Sequence, residues 1–153
     1  MIDVRKNMAA SPASRYLGRT FWSDGYRNAQ GAALHPQIGK LWRHEYGAHG
    51  GDEINIPESG KNYGWPVITH GIDYSGAPIG IGKAAPGMEQ PRYFLVPSIA
   101  PSGMAFYSGD TFPHWQGNLF VGALAGQQLV RLELDGETVK HDERLLSDLR
   151  VDQ

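Results

Sequence analysis

The chain has 153 residues, 41% hydrophobic and 20% charged, with a formal net charge of −2 and no cysteine. That length suits one domain with one core, and the near balance of charge offers no basic face to nucleic acid. The lack of thiols excludes disulfides and thiolate metal sites.

Residues 1–20 carry Arg5, Lys6, Arg15 and Arg19 without the apolar run of a secretory signal, and no later stretch approaches a membrane span. They read as an N-terminal tail or the remnant of a preceding strand, ahead of one domain over 21–153. Cytoplasmic residence is the default expectation. Gly25-Tyr26-Arg27-Asn28-Ala29-Gln30-Gly31 follows, and taken alone its Arg-Asn pair is a surface turn.

The densest chemistry lies in residues 41–66, LWRHEYGAHGGDEINIPESGKNYGWP. Gly47, Gly50 and Gly51 free the backbone to turn carbonyls inward, and Asp52-Glu53 supplies an acidic pair at once. Hard oxygen donors on such a loop suit Ca2+ better than a softer metal. The plain alternative is a tight glycine turn followed by a solvated acidic pair. His44-Glu45-Tyr46-Gly47-Ala48-His49 is similar to the zinc-protease pattern His-Glu-x-x-His but has one residue too many, and the glycines break a helix, so zinc is rejected.

Glu53-Ile54-Asn55-Ile56 alternates as a strand, and Trp65 reads as core in the corner Asn62-Tyr63-Gly64-Trp65-Pro66. Residues 77–90 form a long Gly/Pro loop. Short aromatic or alternating runs at 92–96, 103–107, 118–124, 128–134 and 138–140 read as strands of a β-meander. Gly and Pro every few residues favour short strands throughout.

Four segments, GYRNAQG (25–31), LWRHEYGAHGGDEIN (41–55), GKNYGWPVITHGIDYSG (60–76) and PSIAPSGMAFYSGDTFP (97–113), recur in order and at similar spacing in the soluble PQQ-dependent aldose dehydrogenases, the glucose/sorbosone dehydrogenase family, which the chain resembles over most of 21–149. The resemblance implies a six-bladed β-propeller carrying a quinone and Ca2+. It gives Arg27, Asn28 and Tyr74 cofactor-binding roles and turns the carbonyls of Gly47 and Ala48 toward the quinone's calcium. Glu53 and the Tyr63 carbonyl match a second calcium site, and Asp52 matches a residue facing the sugar. At ~40–45 residues per four-stranded blade the all-β chain holds about three blades, half of such a ring. Open edges then favour closure by a homodimer or larger oligomer.

The same resemblance exposes gaps. The family's proton-accepting histidine has no matching segment before Phe21, Ala125 stands where a cofactor-binding lysine is expected, and an arginine pair would lie beyond Leu149-Arg150. In size and ancestry the chain also resembles short metagenome-derived hydrolases of N-acyl-homoserine lactones. Three readings follow. The first is a Ca2+-dependent lactone hydrolase in which the metal polarises the ester carbonyl and Asp52, with His49, activates water. The second is a PQQ-dependent aldose dehydrogenase, and the third is a non-catalytic, calcium-stabilised remnant.

Overall fold

The computed structural model describes residues 15–16 and 19–147. The expectations for most of the N-terminal tail and for Leu149-Arg150 fall outside them. The short strands β1 (Arg15–Tyr16) and β2 (Arg19–Thr20) pair as an antiparallel ribbon. A first four-stranded antiparallel sheet runs β3 (Ala29–Leu34), β4 (Leu41–Glu45), β5 (Asp52–Asn55) and β6 (Tyr93–Leu95), each beside the next. A second meander contains β7 (Pro101–Phe106), β8 (Leu119–Ala123), β9 (Gln128–Asp135) and β10 (Thr138–Leu145). The only regular helical turn among the described residues is 3-10, Pro113–Trp115. No described helix is long and apolar enough to cross a membrane.

The described residues are all-β, as expected, but they contain two four-stranded sheets where repeat arithmetic gives three. The difference lies in residues 56–92, where Gly and Pro interrupt every candidate run. They form a long excursion whose β-pairing is limited to isolated bridges such as Asp24–Asn62, His49–Ile72 and Ile68–Gly82. Further backbone hydrogen bonds, such as Trp65 to Gly25 and Glu89 to Asn62, hold it in place. Strand β3, with its small residues Ala-Gln-Gly-Ala-Ala-Leu, shows no alternation that would announce it. It exists because it pairs with β4 and runs beside β7.

The core lies between the two sheets. Trp42, Ile54 and Leu95 from the first meet Leu119, Val121, Ala123, Val130 and Leu132 from the second, with Ile56 and Ile99 closing the cluster. Alternation on β9 buries Val130 and Leu132 and turns Arg131 and Glu133 away from the core, the two-face pattern expected of a half-buried strand. The same rule sorts the first sheet. His44, Asp52, Ile54 and Leu95 lie on its core side, while Glu45, Glu53 and Phe94 are register partners on its outer side. At the sheet ends, Glu137 from the β9–β10 turn pairs with Lys40 and, at 2.8 Å, with Arg92.

Candidate functional site

The loop from β4 to β5 is built by close backbone approach. A Cβ on Gly47 would lie 2.1 Å from the Gly50 carbonyl oxygen, and one on Gly51 would lie 2.4 Å from the Gly71 amide, where φ is also +73°. Neither position accepts a side chain. The tight turn delivers Asp52 to one face of β5 and Glu53 to the other.

Asp52 is fully buried. Its carboxylate accepts from Ser98 Oγ at 2.8 Å, from the backbone amides of Ile99 and Ala100 at 2.7 and 3.2 Å, and from the Gly47 amide at 2.9 Å. It therefore clamps the glycine loop to the segment that carries the chain into the second sheet. Removal of a proton from water, the role read for Asp52 from the sequence, would first require breaking this set. His49, its expected helper, lies on the loop surface and stacks on Tyr74, with ring centroids 6.1 Å apart. The structure does not join the two as a catalytic pair.

On the outer face, Glu53 and Glu45 line a cavity of about 10 Å³ together with Arg27, Tyr46, Gly47, Gly51, Tyr63, Trp65 and Thr69. That is room for about one water-sized sphere. Asn55, buried, donates its side-chain amide to both acids, to Glu45 Oε1 at 3.2 Å and Glu53 Oε2 at 3.1 Å. Burial pushes the Glu53 carboxyl up to about 7, against the Asn55 hydrogen bond and with help from the nearby Glu45 charge. Burial also raises Glu45, opposed by the Arg27 amide. Two desolvated carboxylates in one small cavity, neither in a salt bridge among the described residues, fit a hard cation. No group of three His, Cys, Asp or Glu gathers for a metal among the described residues, so backbone carbonyls lining the cavity would have to complete the coordination. The Tyr63 residue expected to contribute its carbonyl lines the cavity, its ring stacked on Tyr26 and its hydroxyl bonded to the Ile56 carbonyl.

Arg27 and Asn28 form a turn against the end of β4. The Arg27 guanidinium donates to the Tyr46 carbonyl at 3.3 Å and lies 5.3 Å from the centre of the Trp65 ring. Trp65 is thus a half-buried wall of the cavity, whereas the sequence placed it in the core; its corner packs on the outer face of the sheet. Tyr74 is 72% exposed on the segment joined to the same loop through the His49 amide and the Ile72 carbonyl. Arg27, Asn28, Gly47, Ala48 and Tyr74 therefore lie on or beside one loop, 46–51. The sequence brings Glu45 forward only within the rejected zinc pattern. The signal that finds it is its register opposite Glu53.

Comparison with known proteins identifies the family. The family model for Glucose / Sorbosone dehydrogenase matches residues 9–152. The chain is 50% identical over 129 residues to the Aldose sugar dehydrogenase YliI of Escherichia coli, covering 83% of this chain and 35% of that protein. It superposes with a TM-score of 0.84 on the apo crystal structure of the soluble aldose sugar dehydrogenase from Escherichia coli, at 46% identity over 92% of this chain and 42% of that one. The PQQ-bound aldose sugar dehydrogenase of Streptomyces coelicolor gives a TM-score of 0.67 at 26% identity, covering 93% and 38%. The chain thus spans about a third to two-fifths of the length of these relatives, and by sequence and fold it belongs to the Glucose / Sorbosone dehydrogenase family.

Proposed function

We propose that the chain serves quinone-dependent oxidation of an aldose sugar. The observation that carries this reading is the meeting, in one corner, of a two-carboxylate cavity with the Arg27–Asn28 turn, in a chain of this family. Pyrroloquinoline quinone, when bound, takes up the electrons removed from the sugar. Arg27 offers a planar cation for one of its carboxylates, Asn28 a side-chain amide, and Tyr74 an exposed ring. Glu53, Glu45 and the Tyr63 carbonyl would hold Ca2+ in the cavity, and the carbonyls of Gly47 and Ala48 would face the calcium of the quinone. A sugar or a related small molecule is the substrate class that follows.

Lactone hydrolysis has no comparable support. Its expected base, Asp52, is fully buried, does not line the cavity, and has its oxygens taken by four donor groups.

Dye-coupled oxidation of glucose with added PQQ and Ca2+, beside ring opening of an N-acyl-homoserine lactone without quinone, tests the reading. The expected result is quinone-dependent oxidation that chelator removes. Lactone opening without quinone would restore the hydrolase. Neither activity, with Ca2+ raising only the melting temperature, would favour the non-catalytic remnant.

A further inference from the structure

We infer that Glu45 is a positioning residue that couples the cation cavity to the Arg27–Asn28 turn, so that cation binding sets the geometry of the turn. The inference rests on the cation part of the proposed function. Glu45 Oε2 accepts from two consecutive backbone amides, Arg27 at 2.7 Å and Asn28 at 3.2 Å. Its other oxygen takes the Asn55 amide at 3.2 Å, and Asn55 reaches Glu53 as well. One carboxylate thus links the backbone of the turn to the pair of acids lining the cavity.

The turn is held to the same strand end twice more. The Tyr46 amide donates to the Asn28 carbonyl at 2.9 Å, and the Arg27 side chain donates to the Tyr46 carbonyl. Glu45 is buried, so its carboxylate cannot swing to solvent without pulling on these bonds. A cation between Glu45 and Glu53 would fix both carboxylates, and the shortest route from there to Arg27 is a single 2.7 Å hydrogen bond. Coupling of this kind is reciprocal. Any ligand seated on the turn would bind more tightly with the cation present, by the same factor as the cation gains.

The test is amide hydrogen exchange at Arg27 and Asn28 in Ca2+ and in chelator, with melting temperature measured in parallel. In the wild type Ca2+ should slow exchange at both amides about tenfold or more, as expected when local opening is suppressed. In Glu45→Gln, Ca2+ should raise the melting temperature less than in the wild type, since one of its carboxylates is lost and Glu53 remains, and it should leave the two amides unchanged. Should that variant not fold, Glu45→Asp, which keeps the charge but shortens the reach, is expected to give the same loss of coupling. A purely structural cap would give slow exchange whether or not Ca2+ is present. That result, equal slowing by Ca2+ in wild type and variant, or no effect of Ca2+ on the wild type at all, overturns the inference. Coupling without quinone-dependent sugar oxidation would instead leave the inference standing and refute the proposed function.

Discussion

Asp52 and Glu53, neighbours on β5, point to opposite faces of the first sheet. Asp52 faces the segment 98–100 and binds Ser98 Oγ at 2.8 Å, while Glu53 faces the cavity and binds Asn55 at 3.1 Å. An acidic pair that reads as one site in sequence is two devices in the fold, because a strand turns successive side chains to alternate sides.

Asp52→Asn should therefore damage stability more than chemistry. The amide replaces an acceptor oxygen with a donor that faces other donors. A loss of about 2–4 kcal/mol in urea unfolding is expected. A variant as stable as the wild type but lacking turnover would contradict this reading and revive the water-activating role.

Glu53→Ala should abolish most of the stabilisation by Ca2+. A ligand that binds only the folded state contributes about 2.7 kcal/mol at a hundredfold excess over its Kd. Melting curves of the wild type with Ca2+ and with chelator should differ, and those of the variant should nearly coincide. Coincident wild-type curves would refute the cation site.

His44 makes the chain acid-sensitive. It is fully buried, neither ring nitrogen has a hydrogen-bond partner, and burial lowers its pKa to about 4. The unfolded chain binds a proton from about pH 6.5 downward, and the native state only near 4. This group's contribution is thus intact above about 6.5 and is lost as pH falls toward 4, at no more than about 1.4 kcal/mol per pH unit. The raised carboxyls of Glu45 and Glu53 act with the opposite sign, so the comparison is with His44→Leu. That variant should match or exceed the wild type at pH 7 and lose less stability between pH 6.5 and 4. An unchanged slope would refute the assignment.

Gly31 and His44 form a coupled pair. A Cβ on Gly31 would lie 2.6 Å from His44 Nε2. Gly31→Ala should destabilise by about 1–3 kcal/mol, and His44→Ala in the same chain should recover part of that loss, leaving a measurable coupling energy. Additive losses would show that the two sites do not touch.

Lys40 and Glu137 join the ends of the two sheets, with Arg92 as the second cation. All three side chains are partly exposed, so Glu137→Gln should cost only about 1 kcal/mol or less, and less still at high salt. A larger, salt-independent loss would assign Glu137 a packing role.

Residues 128–134 and 53–56 announce strands in sequence because burial on one face imposes a period of two, and 92–96 does so as a short aromatic run bounded by proline; each contains most of an observed strand. The residues of the candidate site at Arg27, Asn28, Glu53, Tyr63 and Tyr74 were legible through the motifs that carry the family resemblance. Strand β3 was not, since Ala-Gln-Gly-Ala-Ala-Leu carries no alternation and owes its form to pairing with β4 and to the space that Gly31 leaves for His44. Nor was the meaning of Asp52, Glu53 and Glu45. Local sequence shows that Asp52 and Glu53 take opposite faces but not which face meets the second sheet; the strand pairing and the packing of residues 98–100 decided that. Glu45 reached the cavity only because the β4–β5 register sets it opposite Glu53, a relationship between separate strands that no spacing along one strand contains.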